Sequence, residues 1–336
     1  MSDESPLPQS DADAIPHLDT AQAATLITAI CNNIERAFRG KPEIVRRAVE
    51  TLLAGGHLLL EDVPGVGKTT LAQALARSID GSFSRIQFTS DLLPSDVLGA
   101  SIPEMRDGVP TGGFTFQQGP IFANVVLADE VNRASPKTQS ALLEAMAESG
   151  VTVDGVTHPL PEPHFIVATQ NPLEHHGVHP LPESQLDRFL VRTGIGYPDP
   201  TFEAAVLRED PAATELPRLK PAVTICELRG LQRAAEAVKF DEALVSYLLA
   251  IVTESRTHEM LEIGVSPRGA VAMRRAAQAR ALVDGRDFCI PEDVRDLAVD
   301  VFAHRISVDP RSHHSRDGEE TTWIIREILE ALPVPL

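Results

Sequence analysis

The chain has 336 residues, 43% of them hydrophobic and 23% charged, which suits a water-soluble protein large enough for two domains. A formal charge of −18, with lysine only at Lys41, Lys68, Lys137, Lys220 and Lys239, argues against a nucleic-acid partner, because such proteins collect basic side chains. No apolar run approaches the roughly 20 residues of a spanning helix, so direct membrane insertion is not expected.

Residues 1–19 are acidic and Pro/Ser-rich, lacking the basic start and apolar stretch of a signal peptide. A disordered tail on a cytoplasmic protein is expected. The scattered cysteines Cys31, Cys226 and Cys289 have no metal-ligand spacing and read as free thiols of a reducing compartment.

From Thr20 to Arg39, Ala23, Leu26, Ile27, Ile30, Ile34 and Phe38 recur at helical spacing. Gly40-Lys41-Pro42 breaks that pattern, and Pro42 opens a second helix to about Leu53. The apolar run His57-Leu58-Leu59-Leu60 then reads as a buried strand, followed by a Gly-rich loop and a helix from Thr69 to Ile79. Two further strand–loop–helix modules follow. Val125 to Ala128 ends in Asp129-Glu130 before a helix over about 136–148; Phe165 to Ala168 ends in Thr169-Gln170-Asn171 before a helix around 183–190.

Such alternation predicts an α/β domain over 20–198, a mostly parallel sheet with helices on both faces. Two hairpins interrupt it, one over 98–119 with a tip at Arg106-Asp107-Gly108, the other over 151–157 around Asp154-Gly155. Beyond Pro198 and Pro200, helical patterns near 224–238, 241–257, 267–284 and 291–304 predict a smaller all-α domain over 199–310, without strands. A tail with a terminal helix is expected over 311–336.

The loop Glu61-Asp62-Val63-Pro64-Gly65-Val66-Gly67-Lys68-Thr69-Thr70 sits between a strand and a helix, the context in which a Gly-Lys-Thr sequence binds phosphate. Gly65 and Gly67 let backbone N–H groups turn inward, Lys68 would reach the β- and γ-phosphates of ATP, and Thr69 would ligate Mg²⁺. The general pattern wants Gly where this chain has Asp62, so the loop alone also fits a Gly-rich turn. Asp129 at a buried strand's end would hold Mg²⁺ through water, with Glu130 as general base. Asn171, closing the third strand, could align the same water.

These segments together resemble the MoxR-type AAA+ ATPases. The resemblance runs from Gly55-Gly56-His57 to Thr69, through Ala128-Asp129-Glu130-Val131-Asn132-Arg133-Ala134 and Gln139 to Met146. It continues in Ala168-Thr169-Gln170-Asn171-Pro172, Pro180 to Phe189 and Val265-Ser266-Pro267-Arg268-Gly269, covering about 38–305. It implies a P-loop AAA+ core with an all-α lid. Asn171 would be sensor 1, Arg188 the arginine finger completing a neighbouring subunit's site, and Arg268 sensor 2. Arg133 is a second candidate for contact in trans, and Arg39-Gly40-Lys41 resembles the stretch that packs on adenine. The hairpins match the helix-2 insert and the pre-sensor-1 hairpin of this branch.

The resemblance further implies ATP hydrolysis in a homo-oligomeric ring, expected as a hexamer, acting on a protein client with a von Willebrand factor A-type partner. A magnesium-chelatase-like metal-insertion subunit and a DNA-linked AAA+ motor are the alternatives. Glu174-His175-His176-Gly177-Val178-His179 departs from the family. Its histidines read as boundary polar residues rather than metal ligands, because a Gly-containing loop imposes no ligand geometry.

Overall fold

A computed structural model describes residues 15–63, 65–106, 109–171, 178–309 and 319–335. The expectations placed on residues 1–14, Pro64, the hairpin tip at Asp107-Gly108, Glu174-His175-His176 and the tail at 310–318 lie outside these residues.

Helix α1 (Thr20–Ala37) begins at a capping box, in which Asp19 accepts from the Gln22 N–H and Gln22 answers the Asp19 N–H. Residues 15–19, assigned by sequence to the tail, therefore include the cap of the first helix, and Leu18 packs on the core. Helix α2 (Pro42–Leu53) opens on proline, where the missing N–H costs nothing. Strand β1 (Leu58–Glu61) runs into the Gly-rich loop and α3 (Lys68–Ser78).

Next come β2 (Phe83–Gln87), α4 (Pro94–Leu98), and the paired strands β3 (Gly99–Arg106) and β4 (Val109–Gln118). Then β5 (Val125–Asp129), α5 (Pro136–Glu148), the short hairpin β6 (Gly150–Val153) and β7 (Val156–Pro159), and β8 (Phe165–Gln170) follow. Helix α6 (Glu183–Leu186) and β9 (Val191–Thr193) close the domain. The five-stranded sheet has the order β2-β5-β8-β1-β9, with every pairing parallel. Its edge strands were missed in the sequence. β2 is mostly half-exposed and polar, and β9 has three residues, so neither shows the apolar run that marks the inner strands.

The helical part holds α7 (Pro200–Glu209), α8 (Pro211–Thr214), α9 (Ile225–Ala237), α10 (Glu242–Thr257), α11 (Pro267–Val283), α12 (Pro291–Phe302) and α13 (Glu319–Ala331). It also contains a small antiparallel pair, β10 (Leu261–Ile263) with β11 (Ser307–Val308), which corrects the expectation of no strands. These strands are too short for a visible alternation.

The hydrophobic core divides at the sheet rather than at the domain boundary. Leu58, Leu60, Val125, Leu127, Phe165 and Val167 join α1–α3 and the helical part in one cluster. Leu59, Val126, Ala128, Ile166 and Ala168 face the other way, toward α5 and the hairpin strand β6. Alternate side chains of a strand point to opposite faces, so strands buried on both sides must be apolar throughout. All three thiols are free; burial pushes Cys31 up to about 11 and Cys289 up to about 12, so both are inert. Among the described residues no helix is long and apolar enough to cross a membrane.

At the amino-terminal end of the sheet His57 accepts from the Ile166 N–H at 3.1 Å and lies edge-to-face with His164, ring centres 6.0 Å apart. Burial, followed by the nearby His164, lowers the His57 pKa to about 3. The unfolded chain takes up this proton near pH 6.5, whereas the fold refuses it until about pH 3. Stability is therefore full above pH 6.5 and falls as pH drops below it, by about 2 kcal/mol at pH 5 for this one group. Urea unfolding at pH 7 and pH 5 should show that loss, and His57→Gln should flatten the slope by about one proton. An unchanged slope in the variant would rule His57 out.

Candidate functional site

Asp62, Asp129 and Asn171 emerge from the carboxyl ends of β1, β5 and β8, which lie side by side in the sheet. Open α/β sheets bind ligands at this edge. The Gly-rich loop caps it. Gly67, with φ +95°, sits left-handed at the start of α3, and a Cβ there would stand 3.0 Å from the Phe38 ring. A Cβ on Gly65, at φ +88°, would meet nothing within 4 Å, so space beside the loop is open there. Val66 packs on the core, and Thr69 and Thr70 lie half-buried in the first turn of α3.

Asp62, where the phosphate-loop pattern expects glycine, ties the loop down. Its Oδ1 accepts from the Val63 N–H at 2.7 Å, and its Oδ2 from the Ile195 and Gly196 N–H groups at 2.7 and 2.5 Å. The carboxylate therefore bridges the loop to the segment after β9. Both carboxylate oxygens of Asp62 are thus engaged by backbone N–H groups. Lys68 Nζ donates to the Asp62 carbonyl at 2.7 Å, so the lysine is folded back along its own loop.

The acidic pair is held from both sides. Thr169 Oγ1 donates to Asp129 Oδ1 at 2.6 Å and accepts from the Glu130 N–H at 2.9 Å. Arg85 Nη2 pairs with Asp129 Oδ2 at 2.6 Å. Glu130 has φ +58°, a left-handed conformation unusual for a side-chain-bearing residue, which turns the chain sharply off β5. Its Oε2 accepts from Gln87 at 2.9 Å and from Arg133 Nη1 at 2.8 Å. Asn171 is buried, and its carbonyl accepts from Asn132 at 3.3 Å. Asn132 O in turn accepts from the His179 N–H at 2.6 Å, so His179 is fixed by its backbone. Among the described residues no cluster could hold a metal through three or more His, Cys, Asp or Glu side chains.

The three remaining arginines have partners or neighbours of their own. Arg39 is ion-paired to Glu209 of α7, and a Cβ on Gly40 would press into the Phe202 side chain at 2.7 Å. The Arg39-Gly40 segment thus faces α7, bringing an aromatic ring next to it. Arg188 Nη1 donates to the Leu143 carbonyl at 2.7 Å, while Asp187 is taken by Arg305 Nε at 2.7 Å. Arg268 is exposed in the first turn of α11, beside Arg305.

Residues 57–191 match the family described as "ATPase family associated with various cellular activities (AAA)", and residues 253–328 match the AAA lid domain. The chain is 42% identical to Chaperone MoxR1 of Mycobacterium tuberculosis, over 94% of this chain and 84% of that protein. It is 46% identical to the uncharacterised YeaC of Bacillus subtilis, over 93% and 95% of the two chains. The chain belongs to the MoxR family of AAA+ ATPases. A crystal structure of an ATPase candidate from Cytophaga hutchinsonii superposes with TM-score 0.85 at 33% identity, covering 94% of this chain and 97% of that one. The MoxR chain accordingly has ATPase activity, and its sheet-and-lid architecture is that of the fold.

Four further residues bear on the site: Arg85, Gln87, Thr169 and Arg305. The first two sit on the missed edge strand at alternate positions, so nothing in the sequence tied them to the acidic pair. Thr169 lies in a quoted motif, but its double hydrogen bond needs the sheet register to be seen. Arg305 is 7% exposed and reaches the carbonyls of Phe189 at 2.5 Å and Leu190 at 3.1 Å as well as Asp187. Burial lowers its pKa to about 10, opposed by Asp187. Replacing Arg305 with Met should cost about 3 kcal/mol, because the Asp187 carboxylate and the Leu190 carbonyl would lose this donor and the Phe189 carbonyl one of its two partners inside the protein. A urea midpoint within error of the unsubstituted protein would contradict that role.

Proposed function

We propose that this MoxR ATPase hydrolyses ATP at sites shared between subunits of a homo-oligomeric ring, a hexamer, and uses the turnover to remodel a protein client. The observation that carries the proposal is the convergence of the Gly65–Gly67 cradle, Asp129-Glu130 and Asn171 at one sheet edge, with Arg188 bonded instead to the Leu143 carbonyl. The residues fit Mg²⁺-ATP: an open Gly-rich turn at a helix start, a lysine, a first-turn threonine and a carboxylate beyond it.

Gly65, Val66 and Gly67 would offer backbone N–H groups to the phosphates, Pro64, which has no N–H, would only stiffen the entry to the loop, and Thr70 would extend the first turn. Lys68 would leave the Asp62 carbonyl for the β- and γ-phosphates. Thr69 and Asp129 would hold Mg²⁺, which when bound screens phosphate charge. Glu130, freed from Arg133, would take a proton from the attacking water, while Asn171 orients that water. Arg268, from the lid, would reach the γ-phosphate of its own site. Arg188 would approach a neighbour's γ-phosphate and neutralise charge that develops in the transition state. Arg39 and Gly40, beside Phe202, would border the base.

The net charge of −18 favours a protein client over nucleic acid. One relative carries the name chaperone; the family resemblance implies a von Willebrand factor A-type partner, so such a partner is proposed here with action in the cytoplasm.

Glu130→Gln should keep nucleotide affinity and lose turnover by a factor of about 100 or more. Phosphate release and equilibrium binding measured side by side would check this, and normal turnover in the variant would sink the assignment. The shared site has its own test. Arg188→Ala and Lys68→Ala chains should each be inactive alone, yet a mixture should regain activity because one supplies the loop and the other the arginine. Absence of recovery in mixed assemblies of confirmed ring size would place Arg188 in its own subunit's site.

A further inference from the structure

The carboxylate assigned to the metal side of the site already has a cationic partner within the chain. Arg85 Nη2 lies 2.6 Å from Asp129 Oδ2, and Thr169 holds Oδ1 at 2.6 Å, so both oxygens carry a donor. Arg85 stands on edge strand β2, where its side chain is 47% exposed and has a path into solvent. The same guanidinium nitrogen donates to Gln87 Oε1 at 3.0 Å, and Gln87 Nε2 donates to Glu130 Oε2 at 2.9 Å. Alternation along β2 puts Arg85 and Gln87 on one face, so Asp129, Arg85, Gln87 and Glu130 form one connected chain of hydrogen bonds.

A hydrated divalent cation would ask for the Asp129 oxygen that Arg85 holds, and would repel the guanidinium at close range. We propose that Arg85 is a positioning residue that competes with the metal for Asp129 and so sets the metal concentration the site requires. Metal entry displaces Arg85 from Asp129, loosens its bond to Gln87, and through Gln87 changes the grip on Glu130. Arrival of the metal is thereby coupled to one of the two contacts that hold the general base, the other being Arg133. The inference rests on Asp129 being the metal-side carboxylate of a nucleotide site.

The sign of one substitution decides the matter. If Arg85 only supported Asp129, its removal would weaken metal binding; if it competes, removal strengthens it. Binding of a fluorescent ADP analogue would be titrated with Mg²⁺ in full-length protein, and Mn²⁺ uptake followed by electron paramagnetic resonance. For Arg85→Ala the half-saturating metal concentration should fall about fivefold, the scale expected for losing a half-exposed ion pair, with metal-free nucleotide affinity unchanged. Arg85→Lys, which keeps the charge but loses the fork, should fall between the two. An unchanged or raised half-saturating concentration overturns the proposal. Should Arg85→Ala melt below the assay temperature, Arg85→Gln carries the same expected sign and the same refutation. Failure of the unsubstituted protein to bind the nucleotide analogue would instead overturn the underlying assignment of the site.

Discussion

A strand buried on both faces can carry polar chemistry only where it leaves the sheet, because an unpaired charge in its middle would sit in the apolar core. In this MoxR chain β1, β5 and β8 are buried along nearly their whole length, and each turns polar at its carboxyl end. Parallel pairing brings those three ends to one edge. The phosphate loop, the acidic pair and Asn171 therefore meet through strand order alone, although about 110 residues separate the first from the last. Thr169 completes this arrangement locally. Its hydroxyl holds the Asp129 side chain and the Glu130 backbone at once, so β8 sets the geometry of β5's acids.

The same edge is joined to the helical part by buried charge. Arg305 and His304, at the end of α12, grip Asp187, Phe189 and Leu190, the residues flanking Arg188. On the other side of the sheet Glu50 is nearly inaccessible and bonds to Arg46 and Arg47, and Arg47 also pairs with Asp300 of α12. Removing one member of such a group strands the rest in a low-dielectric interior, so these links resist being broken singly. The lid-side helices thus share a core with α1 and α2 and share polar contacts with the segment bearing Arg188. A displacement of α12 would be felt at Arg188.

Much of this was legible in the sequence, for a physical reason. Inner strands are continuous apolar runs and the lid helices have amphipathic spacing, so β1, β5, β8, α9, α10, α11 and α12 were predicted near their observed bounds. The Asp154-Gly155 turn likewise announced β6 and β7. Edge elements gave no such signal. β2 reads Phe-Ser-Arg-Ile-Gln, a half-exposed mixture with a single buried side chain, and it carries Arg85 and Gln87. Helix α7 buries none of its residues and went unnoticed for the same lack of a stripe. Motif spacing found residues that lie at the ends of inner strands; it missed partners reached across the sheet or from the lid.

Asp62 shows how a departure from a pattern can be structural. Glycine at the start of a phosphate loop lets the backbone turn without hindrance, but supplies no group to hold the neighbouring chain. Here the carboxylate accepts three backbone N–H bonds, two of them from residues 195 and 196 beyond β9. Those residues lead directly into α7, whose Phe202 lies against Gly40 and whose Glu209 pairs with Arg39. A side chain in the loop therefore fixes where the segment facing Arg39 and Gly40 begins. Losing Asp62 would leave the loop's glycines able to turn but the Ile195 and Gly196 N–H groups without their acceptor. The cost would fall on how the two domains meet around the nucleotide site more than on the curvature of the loop itself.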